Sequence, residues 1–257
     1  MQNIHIAAQY GQIDALAKEL QLVDVNTPDA AGYTALHWGC QEGHLEIVKT
    51  LISNGADMEK PDREGFRALE IACTKGHVEI VKYLLASGVN VHQERDGFTA
   101  LHAAAASCRV EVATLLIAAN SDVNKKDEAG RGRTPLHWAA QEGCIDLIRV
   151  LIENGAEIDS MEADGMGPTP LIIAVSEGHL KIVELLIEKN ANVNAVSKSD
   201  SNSTPLHSAC AWNHKEIAEV LLKNGAAPSA IDDNGQTPLD IAIDLGNDEM
   251  KTIFYGT

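Results

Sequence analysis

Ten histidines and five cysteines in a chain of 257 residues raise two chemistries at once. One is zinc ligation by imidazole and thiolate; the other is a cysteine nucleophile served by an imidazole base. Cys73 and His77 stand four residues apart, about one helical turn, where such a pair could meet. Two glycine clusters, Gly130-Arg131-Gly132 and Gly165-Met166-Gly167, have the composition of phosphate-cradling loops. The distribution of these residues argues against all three chemistries. His5, His37, His102, His137 and His207 share one recurring position, and His44, His77, His179 and His214 share another, which leaves only His92 elsewhere. Cys40, Cys73 and Cys210 recur in a third position, where a small buried residue is wanted. Cys108 and Cys144 fall at helix-helix turns without zinc spacing around them. Neither glycine cluster follows a strand or completes a phosphate-binding fingerprint, and both read as turn insertions. Residues that recur with the same neighbours are framework. The chain therefore reads as a non-enzyme with no metal and no cofactor.

The frame that positions them is a repeat. Leu36, Leu69, Leu101, Leu136, Leu171, Leu206 and Leu239 are spaced by 33, 32, 35, 35, 35 and 33 residues. Around them stand Thr34-Ala35-Leu36-His37, Thr99-Ala100-Leu101-His102, Thr134-Pro135-Leu136-His137, Thr204-Pro205-Leu206-His207 and Thr237-Pro238-Leu239-Asp240. Glu42-Gly43-His44, Lys75-Gly76-His77 and Glu177-Gly178-His179 follow at a fixed distance, and units close on Asn54-Gly55-Ala56-Asp57 or Asn154-Gly155-Ala156-Glu157. This pattern resembles the ankyrin repeat over essentially the whole chain. The resemblance implies an all-α solenoid of stacked helix-turn-helix units with β-turn or hairpin tips. It forms a single domain over residues 1–257: a capping half-unit at 1–28, repeats at 29–61, 62–93, 94–126, 127–161, 162–196 and 197–231, and a capping repeat at 232–257. It also implies that the first histidine set hydrogen-bonds within and between turns.

Local chemistry agrees. Threonine before proline is a strong helix start. Gly43, Gly76, Gly143 and Gly178 can end the first helix in a left-handed conformation, and Gly55, Gly88, Gly155 and Gly225 the second. Asp29-Ala30-Ala31-Gly32 and Asp232-Asp233-Asn234-Gly235 are turn sequences. No unit can bury its own apolar face, so the units must stack. Three departures stand out. Arg67-Ala68-Leu69-Glu70 loses both threonine and histidine, and an Arg67–Glu70 pair is the expected substitute. Cys108 and Asn120 replace both glycines of their unit. The polar run from Ser197 to Ser203 is expected to be mobile.

Composition narrows the partners. Apolar residues make up 45%, enough for a core, but aromatics only 4%, so that core is aliphatic. A net charge of −17 disfavours nucleic acid and anionic membranes, which need clustered Lys and Arg, and favours a partner with a basic surface. No run approaches the ~18 apolar residues of a membrane span, and no secretory leader is visible. An odd number of cysteines without a regular framework fits a reducing compartment, so the expected location is the cytoplasm, with the nucleus as the alternative.

Seven of the ten aromatic residues, Tyr10, Tyr33, Trp38, Phe66, Phe98, Trp138 and Trp212, occupy tip or first-helix positions that such a stack turns to its concave side; Tyr83, Phe254 and Tyr255 lie on second helices. Glu42, Glu142 and Glu177 share that side and suit a partner's Lys or Arg. Arg131 and Arg133, with Lys125 and Lys126, form a local basic tip suited to a partner's carboxylate. These residues make up the expected partner-binding surface of a non-catalytic protein-interaction module, an adaptor or regulatory binder that is a monomer by itself. Its partner is another protein with a basic or extended segment. The alternatives are a small-molecule or nucleotide binder that stacks its ligand on the tryptophans, and a direct enzyme inhibitor. Since the histidines and cysteines read as framework, purified protein should carry no stoichiometric zinc by elemental analysis and keep its helical circular dichroism under chelation. Zinc at one equivalent, lost together with the fold, would contradict that reading.

Overall fold

A computed structural model describes residues 3–128, 131–162 and 165–255. Gly130, part of one glycine cluster, lies outside them. The chain forms two compact units, residues 1–122 and 123–257. The first unit contains four helix pairs: α1 (Asn3–Gln9) and α2 (Ile13–Glu19), α3 (Ala35–Glu42) and α4 (Leu45–Ser53), α5 (Ala68–Lys75) and α6 (Val78–Ala86), α7 (Ala100–Ala106) and α8 (Val110–Ala118). A hairpin of β1 (Glu94–Arg95) and β2 (Phe98–Thr99) precedes α7. The second unit contains α9 (Pro135–Gln141) and α10 (Ile145–Glu153), α11 (Pro170–Ser176) and α12 (Leu180–Glu188), α13 (Pro205–Ala211) and α14 (Lys215–Lys223), α15 (Pro238–Asp244) and α16 (Asp248–Tyr255). First helices stack on first helices, α1–α3–α5–α7 in one unit and α9–α11–α13–α15 in the other, and second helices stack likewise. This is the all-α repeat architecture read from the sequence.

Each first helix starts as its motif requires. Proline takes the opening positions of α9, α11, α13 and α15, where its missing N–H has no helical partner to lose. The amides of Thr34, Thr99, Thr134 and Thr204 donate to Nδ1 of His37, His102, His137 and His207 at 3.0–3.2 Å. Histidine thus fills the place of the glutamate in a capping box. The departure at Arg67 keeps this bond by another route than the expected ion pair. The Arg67 amide donates to Glu70 Oε2 at 2.8 Å, while the guanidinium reaches the Glu94 carbonyl at 3.4 Å.

The core is built from small and branched aliphatic side chains. Leu36, Leu101, Leu136, Leu171 and Leu206 are 0–1% exposed. Three residues further on, Ala7, Ala72 and Ala104, with buried Gly39 in register, form a column in the first unit, and Ala139, Ala174, Ala209 and Ala242 one in the second, all these alanines 0–1% exposed. Small residues there let neighbouring first helices approach closely. The following position holds Cys40, Cys73 and Cys210, fully buried as small hydrophobes.

The tips follow from aspartate and glycine. Oδ1 of Asp29 accepts the amides of Ala31 and Tyr33, and Oδ1 of Asp62 those of Glu64 and Phe66. In the hairpin Asp96 and Gly97 both have positive φ, 48° and 74°, as a two-residue I′ turn demands. Contrary to expectation, the Ser197–Ser203 run is tied down. Its ends form a bridge, Lys198–Asp200 is a 3-10 turn, and the Ser199 amide donates to the Met166 carbonyl at 2.7 Å.

The second histidine set joins successive repeats within each unit. Nε2 of His44, His77, His179 and His214 donates to the carbonyls of Gln9, Gln41, Gln141 and Ser176, at 3.0–3.2 Å. Arg109 Nε does the same to the Thr74 carbonyl, and Asn247 Nδ2 to that of Cys210. The ring lies where a side chain on the preceding turn glycine would be: a Cβ on Gly43 would stand 2.6 Å from His77 Cε1. Gly55 is equally left-handed, φ +84° against +81°, but has open space around it. Gly55→Ala should therefore cost about 1 kcal/mol, the left-handed penalty alone. Gly43→Ala should cost about 2–3 kcal/mol, because the ring and its bond are displaced as well. Urea unfolding of both variants checks the difference; equal losses would remove the ring contact from the account.

Candidate functional site

In the first unit the expected rings fall into two groups. Tyr33 packs tilted against Trp38 and against His37, with centroids 5.3 and 5.4 Å apart. The Trp38 indole N–H donates to Asp29 Oδ2 at 3.1 Å. Burial opposes the Asp29 charge, but that bond and the Ala31 and Tyr33 amides outweigh it and hold the carboxyl below its usual range. The second group has a member missing from the sequence reading. The Arg95 guanidinium lies 3.9 Å from the Phe66 ring centroid and 5.8 Å from that of Phe98. Phe98 in turn stacks on His102 at 5.3 Å. A signal for Arg95 existed in the recurrence of Asp62-Arg63-Glu64-Gly65-Phe66 as Glu94-Arg95-Asp96-Gly97-Phe98. Tyr10, at the end of α1, is 65% exposed, and Glu42 is exposed at the end of α3.

In the second unit two members of the basic tip, Lys126 and Arg133, are already engaged, Lys126 Nζ by the Met161 carbonyl at 2.8 Å. Arg133 Nε meets Glu162 at 2.6 Å, its Nη1 bonds Gln141, and the guanidinium lies 5.0 Å from the Trp138 ring centroid. Arg133, read from the sequence as a cation for a partner's carboxylate, thus holds one within its own chain. Glu162 is 2% exposed, and its burial raises its pKa against the pull of Arg133. Trp138 repeats the bond of Trp38, donating to Asp127 Oδ2 at 2.9 Å. Arg131, Glu142 and Glu177 are exposed, and Trp212, just after α13, is 64% exposed. Asp29, Asp127, Arg95 and Glu162 are thus the residues that hold the expected surface in place.

Among the described residues the free thiols, Cys40, Cys73 and Cys210, are placed as framework. Burial alone pushes the Cys40 thiol up and Cys210 to about 12, and it is the largest cause at Cys73. A thiol held protonated is a poor nucleophile. Among the described residues no group of three or more His, Cys, Asp or Glu is placed to hold a metal ion, and no helix is long and apolar enough to cross a membrane.

Comparison with known proteins adds to this geometry. A family model described as ankyrin repeats (3 copies) matches residues 4–95, 54–127, 121–197 and 191–255. A 55-residue stretch is 40% identical to acyl-CoA-binding domain-containing protein 2 of Arabidopsis thaliana, covering 21% of this chain and 16% of that protein. A 50-residue stretch is 46% identical to acyl-CoA-binding domain-containing protein 4 of Oryza sativa subsp. japonica, covering 19% and 15%. The chain thus spans about one-sixth of the length of these curated relatives.

The second unit also contains a buried titrating group. Burial lowers the His137 pKa to about 3, and the charges of Arg133 and Lys126 act in the same direction. The unfolded chain takes up this proton near pH 6.5, whereas the folded chain stays neutral. Stability is therefore full above pH 6.5 and falls as pH drops toward 3. Over the first 1.5 pH units the loss should approach about 2 kcal/mol. Urea midpoints at pH 7 and pH 5 should show it, and His137→Asn should flatten the dependence. An unchanged slope in that variant would assign the effect to other groups.

Proposed function

The chain belongs to the ankyrin-repeat family, and from that premise we propose that it is a non-catalytic adaptor or regulatory binder that takes a partner segment with basic residues on its concave face. Ankyrin repeats generally mediate protein–protein binding. The observation that carries the finer reading is the tip series of the first unit, where Tyr33, Phe66 and Phe98 stand in successive repeats. At ~10 Å per stacked helix this series is about 20 Å long, the span of six or seven extended residues at ~3.3 Å each. Large rings at interface centres carry most of the binding energy in complexes.

Arg95 refines the charge assignment. It already covers the Phe66 face, so the partner's cations are better served by the carboxylates Glu42, Glu142 and Glu177 than by the rings. A net charge of −17 attracts such a partner from a distance. The small-molecule alternative is weaker. Trp38 and Trp138 are half-buried, with their N–H groups committed to aspartates and, for Trp138, a guanidinium beside the ring. An inhibitor would differ from an adaptor only in its partner. On this reading the protein is a monomer by itself, works in the cytoplasm or nucleus, and uses neither nucleic acid nor a membrane.

Alanine substitution of Phe66, Phe98 and Trp138 tests the reading with a partner captured on the wild-type chain. Loss of a central ring should cost about 2 kcal/mol or more in affinity. Glu42→Gln should chiefly slow association and reduce its salt dependence. Unchanged affinity in all three ring variants, with native circular dichroism, would move the interface elsewhere, most simply to the second-helix face around Glu46, Glu79 and Glu111.

A further inference from the structure

Two repeats fill the angle between tip and first helix with an indole, Trp38 in one and Trp138 in the other, each bonded to an aspartate of its own tip. In the repeat at 197–231 the same position holds Ser208. A hydroxymethyl group cannot fill the space of an indole, and a cleft of about 450 Å³ opens there. Buried Ser208 and exposed Ala211 of α13 line it. Its walls are Trp212 and Leu245, 64% and 57% exposed, with half-buried Ile241 between tip and helix. Asp200, Asp232, Asp244 and His207 stand around it, and among the described residues no lysine or arginine lines it.

We propose that this cleft receives one large apolar or aromatic side chain of an extended segment of another protein, with a neighbouring lysine or arginine held by Asp200 and Asp244. The inference rests on the interaction reading above and adds a second contact, in the second unit, with its own chemistry. Three observations select the occupant. The space is one that this chain itself fills with an indole in two other repeats. The walls present an exposed tryptophan and leucine, side chains that lose unfavourable hydration only when something apolar covers them. The surrounding charge is of one sign, so an anionic or purely apolar segment is selected against. Asp232 contributes less to the charge pairing. Its Oδ1 accepts the amides of Asn234 and Gln236 at 2.9 and 2.8 Å, and its Oδ2 the Asn234 side-chain amide at 3.2 Å. Asp244 accepts Gln236 Nε2 at 2.6 Å and keeps further acceptor capacity.

The test is selection of a displayed library of random linear peptides on the full chain, followed by anisotropy titration of the labelled consensus peptide. The expected consensus is a large apolar residue next to Lys or Arg. Ser208→Trp, which installs the residue two other repeats carry, should weaken the peptide at least tenfold. Trp212→Ala, an exposed position that leaves the core untouched, and Asp200→Asn with Asp244→Asn should do the same, the carboxylate pair losing its effect in high salt. Phe66→Ala should leave this peptide's affinity within twofold. No apolar-basic consensus, or a peptide that binds Ser208→Trp and Trp212→Ala like the wild type, would overturn the proposal. Peptides sensitive to Phe66→Ala and indifferent to Ser208→Trp would defeat the cleft and leave the interaction reading standing. Self-association abolished by Ser208→Trp in sedimentation would make a second copy the occupant and overturn it too.

Discussion

A helix that ends against its neighbour leaves carbonyl oxygens with no partner inside the helix, and in this chain the next repeat supplies the donor. His44, His77, His179 and His214 reach back to the end of the preceding first helix, and Arg109 and Asn247 do so where histidine is absent. The bond needs room. An imidazole can lie across the preceding turn only if that turn has no side chain, so glycine is required there for space as well as for its left-handed backbone. One substitution shows the coupling. Asn213 stands in the turn where other repeats have glycine, with φ +57°. The residue that reaches toward it is not histidine but the shorter Asn247, bonded to Cys210 instead of the next residue along. The column of alanines beneath, one in each unit, is the packing counterpart of this tie: the bond sets the spacing of the helices, and the small side chains permit it.

This division of labour explains where the aromatic residues went. A core closed by leucine, isoleucine, valine and alanine has no place for rings, and at the tips they meet polar partners instead. Trp38 and Trp138 use the nitrogen of the indole to anchor on tip aspartates, and Phe66 and Trp138 lie beside arginines of the same chain. The tip surface is a built layer of aspartate, ring and guanidinium. A partner would meet an ordered surface and spend little on arranging it.

The helices were legible because their signals are local: threonine before proline, glycine after a short apolar run, a leucine at a constant interval. Replacements that keep one function by another chemistry were harder to read. Glu70 takes the histidine's bond from the Arg67 amide with its carboxylate, and the sequence suggested a side-chain pair instead. Contacts between repeats were least legible. Arg95 over Phe66 and Glu162 under Arg133 pair residues about 30 positions apart, and only the fold decides which of many charges meet. The same holds for Ser197–Ser203, whose polar composition suggested motion and whose bonds to Met166 and within the turn hold it in place.

The tie between repeats closes over 35 or 36 residues in the first unit and 37 or 38 in the second. In the ties of His179 and His214 the extra residues sit in the tips, between Glu162 and Pro168 and between Ser197 and Ser203, and leave donor and acceptor facing each other. Helix register and tip length are therefore independent variables. An engineer could graft a loop of foreign sequence between the aspartate and the threonine of a repeat without retuning the scaffold, whereas a single residue added between the first helix and its turn would misalign the pair. For this architecture, loop exchange is a matter of grammar: the tip is the open slot in the sentence, and the glycine and histidine are its fixed words.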